Sequence, residues 1–213
     1  MSIKRFFNLV ITLSTAIFAL AVIPSTANAV DTMEKKPAAD KKFYGIAIEK
    51  DSKSLFIIDC SASMGEYADS NKRTTKLDIL KTELLNMLSA AQNDKNYGEF
   101  AIITFGANTK CYPPMGLYNY RAANIPQLSA RGFTPMQKAW TLAAEVIQRE
   151  KIDTVYFLTD GNPSDSFRVK TLDKLFTKHG ISNLKIHCIC LGKDRVLMRK
   201  IAGKYKGVYK CIR

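Results

Sequence analysis

The chain reads as an α/β domain with a mostly parallel central sheet, one short antiparallel edge strand and helices on both faces. Three observations predict it. Apolar runs without polar alternation, such as Leu55-Phe56-Ile57-Ile58 and Val155-Tyr156-Phe157-Leu158, have the length and residue types of strands covered on both sides. Between such runs lie stretches with apolar residues at helical spacing, which gives the strand–helix alternation of parallel βαβ units. With 213 residues, 46% of them hydrophobic, the chain is long enough to bury a full core without help from disulfides.

The elements follow in order. Residues 1–29 have the layout of a secretory signal peptide: Lys4 and Arg5, an apolar stretch from Phe6 to Ile23, a breaking Pro24 and the small-residue site Ala27-Asn28-Ala29. Pro24 and that site argue against the rival, an uncleaved anchor helix. The mature chain is therefore expected in a periplasm or outside the cell, and no Cys follows the apolar stretch to suggest a lipid anchor. Residues 30–42 read as a solvated linker, and the domain is expected over 43–213. Phe43-Tyr44-Gly45-Ile46 is an apolar patch expected to pack on the domain.

Ser54–Asp59 is the first sheet strand. Lys72–Ala91 carries Leu77, Leu80, Leu84, Leu88 and Ala91 on one helical face. Phe100–Phe105 is a second strand, and Thr109–Tyr112 folds back as a short edge strand. Pro135–Arg149 places Met136, Trp140, Ala143 and Ile147 on one face of another helix. Ile152–Thr159 is a strand, Val169, Leu172 and Phe176 mark a helix, Leu184–Leu191 is a strand, Val196–Lys204 a helix and Val208–Ile212 a closing strand. No internal repeat or low-complexity segment interrupts the series.

The chemistry concentrates where strands should end. Directly behind Leu55–Ile58 stands Asp59-Cys60-Ser61-Ala62-Ser63, with oxygen-bearing side chains at every second position. If the backbone stays extended, Asp59, Ser61 and Ser63 point one way, while Cys60 and Ala62 face into the protein. A carboxylate with two hydroxyls, and no imidazole or thiolate, suits a hard cation such as Mg²⁺. Two further segments accompany it. Gly132-Phe133-Thr134-Pro135 precedes a helical pattern, and Val155–Thr159 is a buried strand followed by Asp160-Gly161. Each has an ordinary reading. Asp-x-Ser-x-Ser and Asp160-Gly161-Asn162-Pro163 are turn chemistry. Thr134 with Pro135 and Gln137 makes a helix capping box, and Asp165 or Ser166 would cap the following helix.

Together, in this order, the three segments resemble the metal-ion-dependent adhesion site of the von Willebrand factor type A (vWA) domain. The resemblance runs from about Phe43 to Ile212 and includes the Leu191-Gly192 ending of a later strand. It implies a Rossmann-like vWA fold and a Mg²⁺ (or Mn²⁺) site in which Ser61 and Ser63 bind the metal directly. Thr134, Asp59 and Asp160 would bind directly or through water. It also implies a protein partner that donates a Glu or Asp oxygen to the metal. Ala62 stands where the family usually has Gly, and Phe133 where a second Gly is common. The first needs a backbone angle that a Cβ tolerates, and the second narrows access to the metal.

Three function classes follow: an exported metal-dependent binding module, a metal-dependent hydrolase of phosphate or ester substrates, and a vWA scaffold without metal. The hydrolase reading lacks a base, because His179 closes a helix pattern and His187 sits mid-strand, both away from the strand ends. The binding module is preferred, with no catalytic residues.

The formal charge of +13 is regional. From Arg168 to Arg213 there are 13 Lys or Arg against Asp173 and Asp194, whereas residues 30–167 carry 17 of each sign. Residues 168–213 are thus expected to form a basic face, either merely solvated or attracted to an anionic surface, membrane included. Export and the lack of interleaved aromatic readers disfavour nucleic acid. Five Cys remain after processing. Cys60, Cys188 and Cys190 are expected to be buried in strands, and Cys111 is the candidate for an exposed thiol. If the strand order follows the family, Cys188 or Cys190 neighbours Cys211.

Overall fold

The computed structural model describes residues 42–49, 52–68, 73–92, 100–115 and 125–212. The expected signal peptide at 1–29, and the linker apart from Lys42, lie outside these residues. In chain order the elements are β1 (Lys42–Phe43), β2 (Ile46–Ala47), β3 (Ser54–Asp59), a 3₁₀ turn (Ala62–Gly65), α1 (Lys76–Gln92), β4 (Phe100–Phe105), β5 (Lys110–Met115), α2 (Met136–Glu150), β6 (Thr154–Thr159), α3 (Val169–Lys178), β7 (Lys185–Leu191), α4 (Val196–Lys204) and β8 (Tyr209–Ile212). Among the described residues no helix is long and apolar enough to cross a membrane.

The main sheet has six strands in the order β5-β4-β3-β6-β7-β8. Every pairing is parallel except β4–β5, the expected antiparallel edge. That edge strand is longer than Thr109–Tyr112, reaching Met115, with a bulge in its pairing opposite Phe100–Ile102. β3, β4 and β6 are buried at every position, as their unbroken apolar runs require.

The sheet divides the core in two. On one face α2, α3 and α4 bury Trp140, Ile147, Phe176 and Ile201 against Leu55, Ile57, Val155 and Phe157. On the other, α1 lays Leu77, Leu80, Leu84 and Leu88 over Phe56, Ile58 and Leu158. Lys72, expected in this helix, lies outside the described residues, and the helix starts at Lys76 after Thr75 and Asp78 cap each other's backbone N–H groups. β1 and β2 form a hairpin that closes the α1 face: Phe43 meets Phe56 and Tyr156 edge-on, at ring-centroid distances of 5.1 and 6.0 Å. The apolar patch at Phe43 is therefore packing, as expected.

β3 lies between β4 and β6, so the chain winds one way from β3 and the other way from β6. That reversal point, at the carboxyl ends of the strands, is where open α/β sheets place ligands. Asp59 ends β3, and Asp160 follows β6.

Candidate functional site

Asp59, Ser61, Ser63, Thr134 and Asp160 meet at this edge, although the local path differs from the simplest expectation. The chain does not stay extended past Ser61. It curls into the 3₁₀ turn at Ala62–Gly65, closed by N–H donation from Met64 to Ser61 O and from Glu66 to Ser63 O. Ser61 and Ser63 converge because the turn brings Ser63 back, with their hydroxyls 3.2 Å apart. Ala62 is consequently exposed rather than turned into the protein, while Cys60 is buried as expected. Ala62 lies outside the left-handed region, so its Cβ costs nothing there.

The Gly132–Pro135 segment is laced to the first by backbone. Ala62 donates to Gly132 O at 3.0 Å, Arg131 to Cys60 O at 2.8 Å and Ala107 to Arg131 O at 2.7 Å. Gly132 takes φ +78°, and a Cβ there would lie 2.6 Å from the Ala107 backbone. This close approach seats Thr134 beside Gly161: a Cβ on Gly161 would stand 3.5 Å from the Thr134 hydroxyl and 3.9 Å from that of Ser63.

Thr134 does not cap α2. The Gln137 N–H is taken at 2.7 Å by Asp165, whose other carboxylate oxygen accepts from Phe167 N–H. The capping-box reading is therefore wrong, and so is the expectation that Asp165 caps the helix after it. A carboxylate from a later loop replaces the threonine at the helix start. The buried Thr134 hydroxyl stays at the edge, its residue held by N–H donation to Ser164 Oγ and by Ser164 N–H donation to Thr134 O.

The carboxylates differ in character. Asp59 is fully engaged: Ser61 N–H donates to Oδ1 at 2.7 Å, and the Thr159 hydroxyl to Oδ2 at 2.5 Å. Burial pushes its carboxyl up to about 6 against the pull of those hydrogen bonds, and the Asp160 charge adds to the rise. Asp160 faces the hydroxyls, accepting from Ser63 Oγ at 2.7 Å. Its other oxygen pairs with the Lys76 ammonium at 2.7 Å, with side chains almost fully buried on the Asp160 side. Lys76 also reaches Glu66 at 2.8 Å and Ser63 O at 3.4 Å. Burial pulls the Lys76 amine down, but the bonds and charges of Asp160 and Glu66 more than offset it, and the net shift is upward. Behind the site, Arg195 donates to Asp160 O at 3.1 and 2.5 Å.

Lys76 and Arg195 are the residues that sequence reasoning missed. A lysine opening a helix is ordinary, and only the fold brings it 84 positions along to Asp160. Glu66 is exposed and ion-paired with Lys76. Phe133, beside Thr134 in the chain, has 80% of its surface exposed.

The donor set is oxygen-only: hydroxyls of Ser61, Ser63 and Thr134 with the carboxylates Asp59 and Asp160. Among the described residues no three His, Cys, Asp or Glu side chains cluster as a metal site. This composition fits a hard cation that keeps some of its waters, and does not fit zinc or copper. Lys76 already supplies one positive charge to Asp160, so a dication entering here competes with it.

Fold and site together define a doubly wound α/β domain with an oxygen-lined edge at the strand reversal. The von Willebrand factor type A domain family matches residues 54–162, just over half of the chain, and the chain belongs to that family. Similar solved structures include a von Willebrand factor type A protein from Catenulispora acidiphila (21% identity, TM-score 0.56, covering 78% of this chain and 40% of that one). They also include the D319A mutant of the PilB minor pilin from Streptococcus sanguinis (14%, 0.55, 78% and 57%) and the pilus adhesin SpaC from Lactobacillus rhamnosus GG (14%, 0.57, 77% and 28%). At these identities the likeness is one of fold, and the chain spans well under two thirds of each of these three proteins. No curated protein matches it.

Proposed function

We propose that the domain is an exported, metal-dependent protein-binding module, in the periplasm or outside the cell. A divalent cation, Mg²⁺ or Mn²⁺, would be held by Ser61, Ser63, Thr134, Asp59 and Asp160, and would take a Glu or Asp oxygen from a partner. The observation that carries this reading is the contact of the Ser63 hydroxyl with Asp160, which joins the ends of β3 and β6 into one oxygen cluster while Thr134 stays out of its helix cap. When bound, the ion supplies an electrophilic point able to accept one more anionic oxygen.

The chain's own residues do the rest. Asp59 orients the Ser61 backbone and, through Thr159, the end of β6. Asp160 is fixed from behind by Arg195. Lys76 holds Asp160 until a stronger cation displaces it, which sets a threshold for metal. Phe133 offers an exposed aromatic surface beside the site, the kind of group that anchors protein interfaces. The minor pilin and pilus adhesin among the structural relatives make surface adhesion or assembly the role to test. A binding role is favoured over hydrolysis because both histidines are employed elsewhere: His179 pairs with Gln148, and His187 accepts from the Val208 N–H.

The test is a titration of MgCl₂ and MnCl₂ against thermal unfolding, with and without chelator. The wild type is expected to gain stability with metal, and Ser63→Ala and Thr134→Ala to fold but lose that gain. A wild type indifferent to both metals refutes the reading. Metal-dependent turnover of an aryl phosphate or ester would replace it with the hydrolase.

A further inference from the structure

We propose that Cys190 and Cys211 are a disulfide-forming pair, a modification site at the carboxyl end of β7 and β8 that closes by thiol–disulfide exchange. The sheet register selects them: in the parallel β7–β8 ladder Cys190 stands directly opposite Cys211, whereas Cys188 stands opposite Tyr209. Neighbouring strands lie about 4.8 Å apart, inside the roughly 4.4–6.8 Å range of Cα separations that disulfides span. Both side chains project to the same face, because Cys188 and Tyr209, each two positions earlier, pack into the core cluster under α4. The thiols also sense each other, since after burial the charge and hydrogen bonding of Cys211 help push Cys190 up to about 12.

Access sets the order of events. Cys190 is buried and Cys211 half-buried, so exchange begins at Cys211. Its thiolate attacks one sulfur of a carrier disulfide, forming a mixed disulfide and expelling the first carrier thiolate. Cys190 then gives up its proton and attacks the Cys211 sulfur, expelling the second. Two protein thiols are oxidised to one disulfide, and one carrier disulfide is reduced to two thiols. A bridge between adjacent, hydrogen-bonded strands is geometrically demanding, which places it among the readily reduced disulfides.

Closure changes the turn that follows β7. The Cys190 thiol now donates to Lys193 O at 2.7 Å, and the Cys211 thiol to Gly192 O at 3.3 Å. The disulfide has no S–H, so both carbonyls lose their donors. The same turn leads to Arg195, which holds the Asp160 carbonyl. The thiol state is thereby connected to the edge where Asp160 stands, while the pairing itself is independent of what that edge binds.

The fully reduced wild-type chain, incubated with glutathione disulfide, then denatured, alkylated and digested, decides the matter by mass spectrometry. The expected result is a linked peptide pair containing Cys190 and Cys211 and the loss of two alkylation sites. Cys188→Ser should close equally well, and Cys190→Ser should leave glutathione on Cys211. Five alkylated cysteines, glutathione retained on wild-type Cys211, or a link through Cys60, Cys111 or Cys188 would each overturn the proposal.

Discussion

Lys76 sets the electrostatics at Asp160, because it occupies a carboxylate oxygen that a dication would otherwise neutralise. Replacing it by Met is expected to strip Asp160 of its partner, lowering metal-free stability by about 1–3 kcal/mol. The same change should strengthen Mg²⁺ binding about tenfold, which is roughly 1.4 kcal/mol of removed competition. Thermal unfolding with increasing Mg²⁺ measures both: a lower start, and a larger rise at lower metal. Phe133→Ala should do neither, leaving stability within about 0.5 kcal/mol while weakening capture of whatever partner the metal-loaded wild type retains. At this scale the oxygen donors were legible because Asp59, Ser61, Ser63 and Asp160 follow the ends of strands and Thr134 precedes a helix, in a recognisable order. Lys76 and Arg195 were not, because their partners are made by the fold alone. Arg195 in particular reaches a backbone carbonyl, which leaves no trace in residue type.

At the level of elements, the strands and helices were readable from apolar runs and helical spacing, and their ends less so. The shift of the α1 start to Lys76 follows from the Thr75–Asp78 cap, and the continuation of β5 to Met115 from its bulged pairing with β4. The 3₁₀ turn after β3 was one of two readings left open, because Asp-x-Ser-x-Ser satisfies strand alternation and a tight turn equally well. Cys111, the candidate for an exposed thiol, is instead half-buried in β5, where burial raises its thiol. The junction of Gly132 with Ala107 is the most exacting contact among these loops. Gly132→Ala should cost at least about 2 kcal/mol, from left-handed backbone strain plus the clash, and should separate Thr134 from the two serines. Urea unfolding measures the first effect, and loss of the metal response the second. Asp165→Ala, which uncaps α2, should cost about 1 kcal/mol by the same measurement.

For the whole molecule, two buried groups pull pH dependence in opposite directions. His187 accepts the Val208 N–H through Nδ1, and burial, aided by Lys185 and opposed by Glu49, holds it below its ordinary value of 6.5. The unfolded chain therefore takes up this proton first, and the stability His187 confers is complete above the ordinary value and lost as pH falls below it. Asp59 has the reverse sign: its folded carboxyl titrates near 6, so the protonated fold is favoured in acid and that advantage fades as pH rises through this value. Urea midpoints of wild type and His187→Asn, compared at about pH 7.5 and about pH 5, isolate the histidine. The wild type should lose more stability toward acid than the variant. The basic excess of residues 168–213 is visible in composition alone. Several of its charges are spent internally, with Lys204 on Asp173, Arg199 on Asp194 and Lys185 on Glu49.

The only tryptophan in the chain, Trp140, lies fully buried on α2, stacked parallel to Phe167 with ring centroids 6.3 Å apart and edge-on to Phe157. Phe167 belongs to the loop that leaves Asp160, so the molecule carries its own optical reporter. Indole emission should be blue in the folded state, and changes in its intensity on adding metal would register movement of that loop without any attached dye.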